Sequence, residues 1–591
     1  MVSTLVRLPY TPLLDLLRGR VTARLDWRGV ITSSGAPPDV QALLERVISQ
    51  TRLWRSERAD VAAELLDHFF QALEAGETDS EFIANFGDPE QAAQFVRRST
   101  IRSRPLAWHV LRWTTWLLAL ACIFYAGVAV HYYSGRPKPA AVSVAAANVF
   151  VMRPDGAERA WPIYESALAS LGPDESDPLI NFGEHDAHWP QTARWIDEHQ
   201  TAVESVIRGS SLVALGLEGQ KTQPGALAWS VDHALIDLSV PQLRDLRILG
   251  RLLTFDLHRA RERRDGQRVE LDIASLSRMA QQVAREVAPT TGQVFSLDLL
   301  CRSYDELDRA LSQSAQLFDD GAVVRIARRI SPPQTGSDLI SFRGERLYFE
   351  DLLQRTFTDD GQGDGHFSTA GWTFCVMKYA QEPRMPTEML LDAAPGTILQ
   401  PASMLFMGSR KELSEEYGRL MDLNDAMIRV PLRDADLDGP SELLRSLGRD
   451  PLLRWRYAVL LTVAPALHRP AELAERALGE RDGLLVGLAL EMYHRTHHRY
   501  PDDVRELAPG LLPVVPADRI TGDPLKYRLI NGKPLVYSVG VDRVDDGGRV
   551  PVRNGKPDPD SAAKWGKFAT VVGGDWVLYP KPRASGDGAG N

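Results

Sequence analysis

Cysteine is scarce in this chain: three residues, Cys122, Cys301 and Cys375, among 591. No CxxC pair occurs, so neither a disulfide framework nor a thiolate metal cluster organises the fold. Cys301 and Cys375 are the one pair that could meet in an oxidising compartment. Catalytic signatures are missing as well: the sequence contains no GxSxG, no HExxH and no phosphate-binding loop. A surplus of basic charge is also lacking. The net charge of −10 argues against a general nucleic-acid binder.

One stretch lacks charge altogether. Trp113 to Val130 reads WTTWLLALACIFYAGVAV, without a single charged side chain. About 20 mostly apolar residues span a bilayer core. Trp108, Trp113 and Trp116 flank one end and Tyr132 and Tyr133 the other, as interfacial anchors do. A buried core helix is the alternative, disfavoured because the run is apolar all round. Arg97, Arg98, Arg102, Arg104 and Arg112 precede the run, and only Arg136 and Lys138 closely follow it. The positive-inside rule then predicts a cytoplasmic N-terminus, with everything after about residue 134 outside. The run lies too deep in the chain and is too long for a cleaved signal peptide.

The length exceeds one core, and the chain divides around this run. The expected fold is mainly α with a small α+β C-terminal domain. Residues 1–104 read as a cytoplasmic helical domain, 105–133 as a transmembrane helix with flanks, and 134–150 as a linker. Residues 151–450 read as a mostly helical extracytoplasmic region, and 451–591 as an α+β domain.

In the first part, Leu13, Leu16 and Leu17 fit one helix face, and Arg18, Arg20 and Arg24 suit either anionic lipid or solvent. Val61, Leu65, Leu66, Phe69, Phe70 and Leu73 recur at helical spacing, and Gly76 supplies a stop. Thr78 with Glu81 forms a capping box. Asp88, Pro89 and Gln91 start a third helix. Glu64 and His68 make only two ligands, so a helix-surface pair is preferred to a metal site. ELLDHFFQALEAG followed by FGDPEQAAQFVRR resembles the HAAS-type domain, a small helical module that precedes membrane segments in bacteria. That resemblance implies signalling or protein contacts and no catalysis.

In the middle part, residues 158–171 and 191–217 read as helical. Leu243, Leu246, Leu253, Leu257 and Ala260 share one helix face. After Asp265-Gly266, Val269, Ile273, Leu276, Ala280, Val283 and Val287 form the face of a returning helix, which predicts an αα-hairpin. Helical character continues over 297–318 and 412–427. Glu184, His185, Asp186 and His188 cluster in a loop, without the spacing of a zinc site. Asp360, Gln362, Asp364, Gly365, His366 and Phe367 match positions 1, 3, 5, 6, 7 and 8 of a calcium loop. Position 12, which should be a bidentate Glu, is Gly371. Calcium is therefore weighed there against a metal-free turn of the same shape.

In the last part, Arg456 to Leu467 reads as the start of a buried helix and Gly483 to Arg499 as a second one. Strand signals follow at 525–530, at 534–540 across an Asn531-Gly532 turn, and at 576–580. Leu490, Tyr493, Tyr500, Pro501, Leu507, Pro516, Asp523-Pro524, Tyr527, Val536, Tyr537, Ser538, Gly540 and Asp542 resemble the C-terminal portion of the major pseudopilin of type II secretion. The resemblance implies calcium at the acidic loop Asp542, Asp545 and Asp546. It is discordant with filament assembly, because the apolar run is internal here. His494, His497 and His498 read as a helix end rather than a metal site.

The whole arrangement looks like a group of large single-pass membrane proteins of planctomycete-type bacteria, a resemblance that implies no activity. The expected function is non-catalytic: binding, scaffolding or signalling at the cell envelope, with protein partners on both sides. Nucleic acid is not an expected partner, and no small-molecule substrate is indicated. A secretion- or pilus-associated component and an envelope hydrolase without a recognisable motif are the alternatives.

Overall fold

A computed structural model describes residues 26–104, 106–138, 158–172, 188–217, 242–287, 290–332, 334–362, 364–369, 371, 401, 404–464, 467–553, 556–558, 561–562 and 573–582. The chain forms two compact units, Met1–Gly127 and Val128–Asn591. The described residues are mainly helical, with a small antiparallel sheet near the C-terminus.

The first unit contains helices α1 (Trp27–Thr32), α2 (Pro38–Gln50), α3 (Arg55–Glu74), α4 (Asp79–Asn85) and α5 (Pro89–Arg102). Local chemistry sets their ends. Gly76, at φ +92°, follows α3. Thr78 and Glu81 cap α4 reciprocally, and the Asp88 side chain accepts from Glu90 N–H ahead of Pro89. Ile31, Val40, Leu44, Ile48, Ala62, Leu66, Phe69 and Phe82 form the core. Phe69 meets Phe82 edge to face at 5.0 Å. Two residues of the expected α3 face, Phe70 and Leu73, are exposed instead. The missing contribution comes from α2, whose Val40, Leu44 and Ile48 take that place. Residues 12–24, with the leucines and arginines singled out above, lie outside the described residues.

Helix α6 (Leu106–Tyr133) follows. Its segment Arg112–Tyr133 is long and apolar enough to cross a membrane. Trp113, Leu117, Leu118, Leu120, Ile123 and Phe124 are 61–71% exposed. That exposure runs against the buried-core alternative: none of the described residues covers this face.

The second unit has one continuous apolar core running from Tyr132 to Tyr579. It shows no break near residue 450, where the sequence reading divides the chain. Helices α7 (Trp161–Leu171), α8 (Trp189–Glu198) and α9 (Gln200–Ser210) lead into α10 (Gln242–Glu262) and α11 (Gly266–Glu286). The last two are the expected hairpin. Asp265 caps α11, and every α11 face residue from Val269 to Val283 is buried. Helix α12 (Thr290–Ser314) adds a third antiparallel rod, followed by α13 (Asp320–Ile330) and α14 (Arg343–Thr356). Further on come α15 (Arg410–Arg429), α16 (Gly439–Arg449), α17 (Pro451–Arg456) and α18 (Ala458–Val463).

Helix α19 (His468–His497) is longer than the stretch Gly483 to Arg499 read as helical. Its first half carries Glu475, Arg476, Glu480, Arg481 and Asp482, which hide the apolar period although most are buried. Strands β1 (Lys526–Ile530) and β2 (Lys533–Ser538) form the expected hairpin, with Asn531 at φ +52° and Gly532 at φ +75°. After the short β3 (Val552–Arg553) and β4 (Lys556–Pro557), strand β5 (Trp576–Tyr579) pairs antiparallel with β2. β5 lies on a glycine stripe of α19. A Cβ at Gly479, Gly483 or Gly487 would fall 2.1, 2.5 or 2.7 Å from Trp576, Leu578 or Tyr579. Residues four apart share a helix face, so this G-xxx-G-xxx-G run makes a flat track for the strand.

Candidate functional site

Helices α11, α12 and α13 build the first candidate. With the turn at Asp338-Leu339 they enclose a cavity of about 390 Å³, within the range of small-molecule sites. Leu297, Leu300, Ile330 and Leu339 supply apolar wall, and Arg285 and Arg329 supply positive charge. Burial and the nearby Arg278 and Arg325 guanidinium groups push Arg329 below the usual arginine range. Arg325 has its own partner, Glu270, at 2.7 Å. Arg329 makes no such pair. Asp338 is the one acidic group among the lining residues. Its Oδ2 already accepts the backbone N–H groups of Gln334 and Thr335, both at 2.8 Å. The cavity gathers two arginines rather than two converging carboxylates. None of its residues stood out in the sequence, because Arg285 and Arg329 sit at ordinary surface positions of amphipathic helices. Only the missing acidic partner at i±4 hinted at them.

The second candidate lies at the end of α6. A cavity of about 430 Å³ is lined by Val128, His131 and Tyr132, by the loop 358–367, and by Met404, Leu405 and Met407. The loop is the expected calcium-like turn. Phe357 pairs with Phe367 as an isolated antiparallel bridge. Thr358 N–H donates to His366 O at 2.8 Å. Gly365 is required, since a Cβ there would overlap Thr358 O at 1.6 Å. Asp360 Oδ1 accepts the N–H groups of Gln362 and Asp364 at 2.8 and 3.1 Å. Gln362 and Asp364 are exposed. The His366 carbonyl, the expected position-7 ligand, is the acceptor of that Thr358 N–H; its ring lies against His131 at 3.9 Å between centroids, tilted by 32°, and its Nδ1 lies 3.2 Å from Thr358 Oγ1. Burial, then His131, lowers its pKa. Gly371 is buried beneath Thr356 O, where a glutamate at position 12 would not fit.

The third is the acidic loop after β2. Asp542 Oδ1 accepts from Val544 N–H at 3.1 Å. Asp545 accepts from Gly547 N–H and Tyr537 Oη–H, both at 3.0 Å, and faces Lys526 Nζ at 3.7 Å. Asp546 stands beside them. Sequence reasoning missed the fourth member, Asp575, which is fully buried. Its Oδ2 accepts from Gly548 N–H at 2.6 Å, while its Oδ1 has no hydrogen-bond partner. Burial, and then the Asp545 and Asp546 carboxylates, raise its pKa. Among the described residues no group of three or more His, Cys, Asp or Glu side chains converges as metal ligands.

The other polar clusters have structural partners. His494 stacks on Tyr500 and His497 on Tyr493, and His498 is the left-handed cap of α19. Glu64 and His68 are exposed on α3. Cys301 is a free thiol whose pKa burial raises. Cys375, Glu184, His185 and Asp186 lie outside the described residues. No protein family, curated protein or solved structure matches the chain.

Proposed function

We propose that the protein is a single-pass, membrane-anchored binding protein of the bacterial cell envelope. α6 crosses the cytoplasmic membrane, the N-terminal helical unit lies in the cytoplasm, and the larger unit binds its ligand on the outer side. The observation that carries the anchor is the run of bare apolar side chains on α6, 61–71% exposed from Trp113 to Phe124. Such a surface is stable only in a lipid or protein environment. The resemblance of residues 64–98 to a HAAS-type module supports a protein contact on the cytoplasmic side. The resemblance of the C-terminal hairpin to pseudopilins supports no filament role, since the anchor is internal to the chain.

The arginine-lined cavity supplies the binding half of the reading. Its chemistry suits a small organic anion with an apolar body. Phenyl phosphate is a suitable probe. It should raise the melting midpoint of the detergent-solubilised full chain, and Arg329→Gln or the cavity-filling Ala284→Trp should remove that rise. An unchanged midpoint in the wild type would reject the anion site. Alkaline carbonate extraction tests the anchor separately: the protein should stay with the membrane pellet, and its release would reject the span.

A further inference from the structure

Most of α6 is bare, but its last turn is not. Val128 and Tyr132 are 9% and 2% exposed, packed within the second unit, where they line a cavity with Thr358, His366, Met404 and Met407. The apolar surface does not stop where the helix docks. Leu405, which lines the same cavity as Tyr132, and its neighbour Phe406 are 50% and 55% exposed. Met404 and Met407 turn inward to line the cavity beneath them. Gly408 N–H donates to Arg456 O at 2.9 Å, and that bond joins this segment to α17. On α17, Leu452 and Leu453 are 65% and 37% exposed, and Trp455 is half-buried. Four large apolar side chains are thus exposed on two hydrogen-bonded segments, and one of them, Leu405, lines a cavity together with Tyr132 of α6. A soluble surface scatters such residues singly.

Basic side chains stand on the same two segments, with the exposed Asp360 and Asp364 on the neighbouring loop. Lys411, Arg449 and Arg454 are exposed, and Arg410 and Arg456 half-exposed. Lys411 lies 4.0 Å from Glu415 and Arg456 pairs with Glu412, while Asp450 is held as the cap of α17. Among the described residues Arg449 and Arg454 have no acidic partner. Apolar side chains flanked by arginine and lysine match the boundary between acyl chains and anionic head groups.

We infer that Leu405, Phe406, Leu452 and Leu453 form a collar that dips into the outer leaflet around the mouth of α6, with Arg449 and Arg454 on the lipid head groups. The inference rests on the reading that α6 crosses the membrane. Continuity with the span selects the bilayer as the occupant. Tyr132 and Tyr133 mark the head-group level, and Leu405 lines the same cavity as Tyr132. The collar holds the larger unit against the membrane in one orientation, so that its loops meet ligands at a fixed height above the lipid. A single helical tether alone leaves that orientation free.

The test uses the full chain in vesicles of phosphatidylcholine with a minority of phosphatidylglycerol. Cys122, Cys301 and Cys375 are changed to Ala, and one cysteine carrying an environment-sensitive fluorophore is placed by Phe406→Cys, Leu452→Cys, Leu118→Cys or Val514→Cys. Leu118 reports the span, and Val514, 71% exposed, lies outside the patch. Lipid bearing a nitroxide near the glycerol level should quench positions 406 and 452 by about twofold or more, as side chains at the interface require. Position 118 should be quenched from deeper nitroxides, and 514 should be unaffected. Quenching at 118 with none at 406 and 452 overturns the collar and leaves the anchor standing. No quenching at 118 rejects the anchor and the collar together. Equal quenching at 514 and 406 overturns the collar as a specific contact. Concentration-dependent shielding of 406 without quenching assigns the patch to a second copy of the chain and likewise overturns it.

Discussion

The Lys581 ammonium stands 3.0 Å from the Glu480 carboxylate, and the Glu480 side chain is 2% exposed. The same ammonium contacts Asp305, and the Lys581 backbone N–H donates to Asp308 Oδ1 at 3.1 Å. Arg476 completes the set with a 2.8 Å contact to Glu480. Lys581, two residues past the last strand, is thereby pinned to α12 and α19 together. Burial opposes the charge on Lys581, but Glu480 and Asp305 outweigh it and raise the pKa. Lys581→Met leaves the buried Glu480 with Arg476 alone and the half-exposed Asp305 without its cation, and should cost about 3 kcal/mol. Adding Glu480→Gln should recover part of the loss. Urea unfolding of the solubilised chain measures both, and a single-variant cost near zero would show that the cluster is solvated.

Asp272 gives the opposite case. It is fully buried on α11, neither oxygen accepts a hydrogen bond, and Arg268 Nε stays 3.6 Å away. Burial, then the Asp256 carboxylate, raises its pKa well above the ordinary value. A raised folded-state pKa means stability that is fully present below the unfolded value and is lost as pH rises through the folded one. Asp272→Asn removes the charge that is costly at neutral pH. The variant should melt higher than wild type at pH 7, and the gain should shrink on acidification. A lower midpoint at pH 7 would show that Asp272 works as an anion for Arg268.

Gly532 tests the hairpin. Its φ of +75° is left-handed, and a Cβ there meets nothing within 4 Å. Any cost of a side chain is therefore backbone strain alone. Gly532→Val should destabilise by about 1–2 kcal/mol, and Gly532→Asn by less, because Asn tolerates this region. Equal midpoints for Val and Asn would mean that the turn relaxes to another type.

Calcium has two proposed loops with unequal credentials. The turn at Asp360 lacks a ligand at position 12, where Gly371 is buried. The loop at Asp542, Asp545 and Asp546 adjoins Asp575, whose buried Oδ1 lacks a partner. A cation there would relieve mutual repulsion among these carboxylates. Millimolar calcium should raise the melting midpoint, with Asp545→Asn removing the rise and Asp360→Asn leaving it. Loss of the rise on Asp360→Asn alone would move the site to the other loop.

Legibility differed with the range of the forces involved. The α10–α11 hairpin, the Thr78–Glu81 cap and the Asn531-Gly532 turn follow from residues within one or two turns of each other. Helix α2 and the first half of α19 lie outside the helices read from the sequence, for different reasons. In α2 the apolar period of Val40, Leu44, Val47 and Ile48 is present but short, whereas in α19 the buried face is interrupted by polar residues that find partners distant in sequence. Glu475, for example, is held by Arg519 at 2.7 Å. The stripe Gly479, Gly483 and Gly487 was visible as a spacing, but its meaning needed β5 lying on it.

By itself the sequence determined the apolar run of α6, the local caps and turns, and the helical class, because these depend on side-chain chemistry read over a few consecutive residues. Tertiary structure decided what those elements do. It left α6 bare up to Phe124 and docked at Tyr132. It merged the regions on either side of residue 450 into one core. It brought Arg285 and Arg329 from separate helices to one cavity, and Asp575 to an acidic loop distant in sequence. Each of these depends on which distant groups share a space, and pairing across such distances leaves no periodic trace in a single chain.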